Sequence, residues 1–194
     1  SFRVLRDDRP PAVHDHLDIV TGDGVTVRFN DPRRFGSVLW TEDDPALHPL
    51  IAPLGPEPLG DNFTAGYLHR RSRRRSVAIK PHIMNAHIVV GVGNIYASEA
   101  LFRARIHPAR AAGRVALPRL EALVAAIRDV LTESIRDGGT TLRDFHNGEG
   151  QPGYFSQRLR VYGRAGQPCV ECGTEIRQVV LGQRSSYYCP RCQR

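Results

Sequence analysis

The 194 residues suffice for one large domain or two small ones, and a hydrophobic share of 41% excludes global disorder. No apolar run is long enough for a bilayer span and no signal-peptide pattern opens the sequence, so no membrane partner is expected; cysteines confined to the last 26 residues are no disulfide framework and point to a reducing, cytoplasmic setting. The net charge of +7 is lopsided, six arginines against ten acidic residues over 1–60 and 21 basic against 10 acidic over 61–194, which makes the later part the candidate polyanion surface.

Ordinary solubilising charge is the competing explanation of that surplus. Of the 27 basic residues only Lys80 is lysine; arginine forks suit phosphate, but GC-rich codon usage produces the same bias. The sequence opens at Ser1 and its one methionine is Met84, so a fragment of a longer protein is expected.

In chain order, the opening third reads as β-structure. Phe2–Leu5, Leu17–Thr21, Val25–Asn30 and Gly36–Trp40 are short runs rich in β-branched or aromatic residues, with Gly22-Asp23-Gly24 as a turn. Residues 52–61, dense in Pro and Gly, mark a boundary where the charge balance changes sign. Helices are expected over Phe63–Ser72, Val77–Asn85, Asn94–Ala104 and Leu117–Ile135, the last carrying a 3.6-residue apolar repeat that Gly138-Gly139 stops. Pro81 is tolerable only near the first turn of its helix. Gly148–Gly153 reads as a glycine-rich polar loop.

Residues 89–99, VVGVGNIYASE, combine two glycines with Asn94 at a helix start, where free amides suit phosphate. A dinucleotide fingerprint is rejected: Tyr96 stands in place of its third glycine, and the preceding segment is not the first strand of a βαβ unit. Two helices joined by two turns are expected instead, with Lys80 on the first and Asn94 opening the second, both able to reach one phosphate.

All four cysteines fall in the last 26 residues as two C-x2-C pairs, Cys169/Cys172 and Cys189/Cys192, sixteen residues apart. Two thiolate knuckles close a tetrahedron around one Zn²⁺. Four protein sulfurs leave no open position, so the ion is structural. Glu175–Val180 and Ser185–Tyr188 are expected to pair across a turn at Leu181–Arg184, which puts Arg184 at the hairpin tip.

Taken together, Gly91–Glu99, the ribbon with Gln183-Arg184, Asp31–Gly36 (DPRRFG), Leu54–Leu59 (LGPEPL) and Pro152–Phe155 (PGYF) resemble segments of the formamidopyrimidine-DNA glycosylases. The continuation IYASE and the DPRRFG string favour this branch over the related endonuclease VIII branch. The resemblance implies an α+β fold. Residues 1–53 would be the C-terminal part of an N-terminal β-sandwich lobe and 54–62 an interdomain hinge. Residues 63–147 would form a helix-two-turn-helix domain, and 148–194 a lesion-covering loop and zinc ribbon.

It also implies a monomeric base-excision repair enzyme that flips oxidised purines such as 8-oxoguanine out of damaged double-stranded DNA. The base is removed through a Schiff base on an N-terminal proline, and successive eliminations then cut the strand. No nucleotide cofactor is implied. Arg33 resembles the residue that meets the orphaned cytosine, and Phe35 the wedge that fills the vacated stack. His14, Arg74, Lys80 and Asn94 resemble DNA-backbone contacts. Asn147, Gly148, Gly153, Tyr154 and Phe155 resemble the loop over the flipped base. Arg184 resembles the finger arginine described as proton donor in the last elimination, although a guanidinium is a poor acid and phosphate orientation suits it better.

The family's catalytic proline and adjacent glutamate, with a lysine and a methionine of the first lobe, would lie before Ser1. The 194 residues are therefore expected to bind DNA without catalysis. Asn85 stands where relatives often carry an acidic residue, so that carboxylate's role does not transfer. Two other readings stay open: a non-catalytic binder of damaged or bent DNA with the same fold, and a zinc-ribbon protein binding RNA in translation. The second explains the cysteines and charge but not DPRRFG or the helix pair.

Overall fold

Strands β1 (Phe2–Leu5), β2 (Asp15–Val20) and β3 (Thr26–Asn30) form an antiparallel sheet in the order β1-β3-β2. The structure, a computed structural model, describes residues 1–139 and 155–194. Pairing aligns Phe2 with Phe29 and Leu17, and Val4 with Val27 and Ile19. Because side chains alternate across a strand, these six apolar residues share one face. On the opposite face Arg28 and Asn30 are buried: the Arg28 guanidinium donates to Asp18 at 2.7 and 2.8 Å and to the carbonyls of Arg9 and Pro10. Asn30 donates to Asp15 at 2.8 Å and accepts from Arg3.

The fourth expected strand, Gly36–Trp40, is absent; residues 35–40 have no regular structure, and Trp40 is 88% exposed. Apolar, β-branched composition describes a chain that could line a sheet, but neither edge of the described sheet receives this segment.

The helical part follows the expected order with trimmed ends. Thr64 caps α1 (Ala65–Ser72) by accepting from Tyr67 N at 3.1 Å. Helix α2 spans only Ile79–Ile83, shorter than the expected 77–85, and Pro81 is its third residue, where the missing N–H has no helical partner to lose. Helix α3 covers Asn94–Arg103 and α4 covers Leu117–Arg136. The left-handed glycines 138 and 139 close α4, with their amides returning to Ile135 and Ser134. Residues 58–63 are tied to α4 by Arg128, whose guanidinium donates to the carbonyls of Pro58, Gly60 and Phe63. Strands β4 (Arg177–Leu181) and β5 (Arg184–Tyr188) make the terminal hairpin.

The chain divides into two compact units, 1–42 with 134–158, and 43–133 with 159–194. No helix among the described residues is long and apolar enough to cross a membrane. Of the expected lesion loop, Asn147, Gly148, Gly153 and Tyr154 lie outside the described residues, while Phe155 is fully buried.

Leu120, Leu123, Ile127 and Val130 of α4 are each fully or almost fully buried. Leu123→Ala should therefore cost about 2–5 kcal/mol of unfolding free energy, measured by denaturant melts. The exposed neighbour Ala122→Ser should shift the midpoint by no more than about 0.5 kcal/mol equivalent.

Candidate nucleic-acid interface and metal centre

Helices α2 and α3 are joined by a turn in which Gly91 takes a φ of +74°. Gly93 caps α3 without a side-chain bond, and Asn94, freed from capping, turns its side chain toward α2. The Lys80 ammonium donates to Asn94 Oδ1 at 2.5 Å, to the Ser185 carbonyl at 2.8 Å and to Ser186 Oγ at 2.8 Å. Three donors thus meet three acceptors, and Lys80 is only 1% exposed. Burial, and after it the charge of Arg184, pushes its pKa down to about 8, so it remains cationic at neutral pH.

The sequence led us to expect a lysine open to phosphate; instead β5 lies over it. A phosphate oxygen reaches Lys80 only by taking the place of one of its present acceptors. Asn94 is also held from its other end, donating to Tyr162 Oη at 3.3 Å, and the Tyr162 ring packs edge-on against Tyr187 at 5.0 Å.

Glu99 is the residue that sequence reasoning missed most clearly. It sits on α3 with no exposed surface, and its carboxylate accepts backbone N–H bonds from Arg160 (2.9 Å), Val161 (3.0 Å) and Tyr162 (2.9 Å). A buried charge persists only with such satisfaction. The bonds fix the segment that leads into the ribbon and set Tyr162 against Asn94. The one available signal was a glutamate among apolar residues in IYASEALF.

Arg184 is exposed at the start of β5, just past a hairpin turn whose central residues, Gly182 and Gln183, both have positive φ. The expected turn was four residues wide, with Arg184 at its tip. Arg74 is exposed on the loop between α1 and α2, at a φ of +58° and flanked by the exposed Arg73 and Arg75. In the same unit, therefore, Lys80, Asn94 and Arg184 come together, with Arg74 on the loop that enters α2.

The other unit gathers His14, Arg33 and Phe35. Asp31 N donates to the His14 carbonyl at 3.0 Å, and the Asp31 carboxylate accepts from Gly36 N at 2.6 Å, a bond that holds its pKa below the usual carboxylate range. A Cβ at position 36 would lie 2.6 Å from the Phe29 ring, so a larger residue there would have to displace that ring. This closed loop leaves Phe35 81% exposed, with the Arg33 guanidinium 5.0 Å from its ring centre. The ring is thus held out at the surface and backed by a cation.

The four cysteine Sγ atoms lie within 4.8 Å of one another, Cys172 to Cys189 at 3.5 Å and Cys169 to Cys192 at 4.0 Å. Zn–S bonds of about 2.3 Å put tetrahedral sulfurs about 3.8 Å apart, so the cluster fits zinc. Hydrogen bonding from Thr174 holds the Cys172 thiol down at about 6, while burial, and after it the crowding sulfurs, pushes Cys192 up. A divalent cation removes that conflict by stabilising all four thiolates. Behind the sulfurs, Val161, Ile176 and Phe102 form the apolar backing.

A formamidopyrimidine-DNA glycosylase H2TH domain matches residues 54–146, and a zinc finger found in FPG and IleRS matches residues 166–194. The formamidopyrimidine-DNA glycosylase of Syntrophotalea carbinolica is 62% identical over all of this chain and 72% of the relative's length. That of Methylococcus capsulatus is 57% identical with the same coverage. Among solved structures, MutM (FPG) from Thermus thermophilus matches with a TM-score of 0.86 at 36% identity, over 99% of this chain and 71% of that one. A Lactococcus lactis FPG variant in complex with Fapy-dG-containing DNA matches with a TM-score of 0.84 at 30% identity, over 100% and 71%.

Metal analysis of the purified chain should find close to one zinc per molecule. Cys189→Ser should lose the metal and the ribbon's fold together, because metal binding supplies the folding free energy of such a small unit. Full zinc occupancy in that variant would remove Cys189 from the ligand set.

Proposed function

This chain belongs to the formamidopyrimidine-DNA glycosylase family, and from that premise we propose that it forms the DNA-binding part of a base-excision repair glycosylase and AP lyase acting on oxidised purines. The convergence of Lys80, Asn94 and Arg184 from distant parts of the chain carries this reading. They form a cationic, hydrogen-bonding group beside the start of α3, where helix amides favour an anion. A backbone phosphate of damaged duplex DNA is the ligand it fits.

Arg74 adds a second backbone contact. In the other unit, Phe35 enters the stack vacated by the flipped base, Arg33 meets the orphaned base opposite, and His14 contacts the backbone. Asn147, Gly148, Gly153, Tyr154 and Phe155 belong to the segment that covers the flipped base. Arg184 orients phosphate during strand cleavage. The zinc, held by four thiolates, shapes the hairpin that carries Arg184 and takes no part in chemistry. The protein works as a cytoplasmic monomer associated with the nucleoid through DNA.

Duplex affinity should fall steeply with salt. Lys80→Ala should weaken all sequences alike and flatten the log–log slope by about 0.9, one phosphate contact, with zinc content checking the fold. A bound phosphate favours charged Lys80, whereas raising the pH through about 8 removes that charge. Affinity should therefore drop between pH 7 and 9, and Lys80→Ala should abolish that part of the drop. An unchanged salt slope and pH profile would exclude Lys80 as a phosphate contact.

Catalysis needs an unprotonated amine placed against the sugar carbon. Within residues 1–194, the Ser1 amine donates to the Asn30 carbonyl at 2.7 Å and Lys80 is buried. We therefore assign the nucleophile to the part of the relatives' length that lies outside the match. On 8-oxoguanine duplex with borohydride, the 194 residues alone should bind without a trapped adduct, and the chain extended to its relatives' length should trap. Trapping by the short chain would mean that its own amine is the nucleophile. Failure of the extended chain with binding intact would favour a non-catalytic binder.

A further inference from the structure

At the far end of α3 from Asn94, beside the ribbon, lies a cleft of about 590 Å³ lined by Arg105, Arg119, Arg191 and Arg194, with Glu171, Cys172 and Cys192. The ten residues of α3 separate the two ends by about 15 Å, so the cleft and the Lys80 group cannot share one phosphate.

The arginines are organised by one backbone group. Arg105 has a left-handed φ of +57°, and its carbonyl accepts from the Arg119 guanidinium at 2.6 Å and from Arg194 N at 3.2 Å. The next carbonyl, of Ile106, accepts from the buried Gln193 side chain at 2.9 Å, which in turn accepts from Cys189 N. The turn after α3 and the end of the ribbon are thereby locked together, a setting in which a strained backbone residue persists.

Charge balance distinguishes this cleft from a neutral surface patch. The adjoining arginines are matched: Arg103 makes a two-pronged pair with Glu133 at 2.7 Å, and Arg160 pairs with Glu171 at 3.1 Å. Arg105, Arg119, Arg191 and Arg194 make no ion pair among the described residues. A zinc tetrathiolate carries a charge of −2, so the thiolates explain part of this cluster. Glu171 also lines the cleft, but its carboxylate is engaged by Arg160 at 3.1 Å; with that pair set aside, four guanidiniums face the −2 of the thiolates and the Arg194 α-carboxylate. Concave, crowded guanidiniums that no carboxylate engages in an ion pair match oxyanions through paired N–H donors.

We propose that this cleft is a second phosphate-binding site, independent of the Lys80–Asn94 group, that takes a multiply charged phosphoanion. Its phosphate comes either from a nucleic-acid strand or from a free species such as pyrophosphate. The site stands whether or not the Lys80 group contacts DNA.

The test is a titration of the zinc-loaded chain with pyrophosphate, followed by amide and arginine Nε NMR shifts. Shifts should centre on Arg105, Arg119, Arg191 and Arg194 and leave Lys80 and Asn94 unmoved. Arg105→Ala/Arg191→Ala, with zinc content and spectrum confirming its fold, should weaken binding at least about tenfold, the size of one lost charge-assisted pair, whereas Lys80→Ala should not. Duplex DNA then separates the sources: a salt slope reduced by about 0.9 or more in the double variant assigns a strand phosphate, and an unchanged slope with pyrophosphate binding lost assigns a free phosphoanion. The proposal is overturned if pyrophosphate fails to bind, if shifts map to Lys80 and Asn94, or if the double variant binds as well. It is equally overturned if polyglutamate occupies the cleft more tightly than pyrophosphate, which would make it a protein-docking surface.

Discussion

The helical unit depends on the burial of one ammonium group. Lys80 has been taken out of water at a cost that its lowered pKa records, and three oxygens offset that cost: one from α3 and two from β5. The same bonds that solvate the charge join two helices to a zinc-bound hairpin. Glu99 is its negative counterpart on α3, satisfied by three amides of the segment entering the ribbon. A cation and an anion, each without a direct ionic partner among the described residues, thus fix where the ribbon sits on the helices. Removing either set of partners would strand a charge, which is far costlier than losing a neutral contact.

In the strand-rich unit two polar side chains are buried on one face of the sheet. Arg28 and Asn30 are buried there and bonded to Asp18 and Asp15, while Phe2, Val4, Leu17 and Ile19 are exposed on the other face in these 194 residues. The DPRRFG loop is nonetheless well defined, because its closure needs only the Asp31 carboxylate, the Gly36 amide and the space that glycine leaves beside Phe29. A local device therefore presents Arg33 and Phe35 without help from the rest of the sheet.

What was legible in the sequence was what depends on short range. The C-x2-C spacing builds each knuckle from four residues, the apolar repeat of α4 declares its buried face, and Asn94 does begin a helix. Family resemblance brought Arg33, Phe35 and Arg184 forward, and the comparisons establish the family itself. Strand pairing was harder to read: Gly36–Trp40 has strand composition but no neighbouring strand, and composition does not encode a partner. The roles of Glu99 and Tyr162 were hidden because their contacts span more than sixty residues. Lys80 was recognised but not its burial, since its acceptors at 185 and 186 include a backbone carbonyl, which no residue type reveals.

Those acceptors lie more than a hundred positions downstream. During synthesis, α2 and α3 emerge long before β5 exists, so Lys80 must wait in water with only Asn94 beside it. A helix made early in this unit is thus completed by a strand made much later. Contacts so distant in sequence are slow to close, and because β5 belongs to the hairpin between the two cysteine pairs, the Lys80 acceptors come into place only with the ribbon.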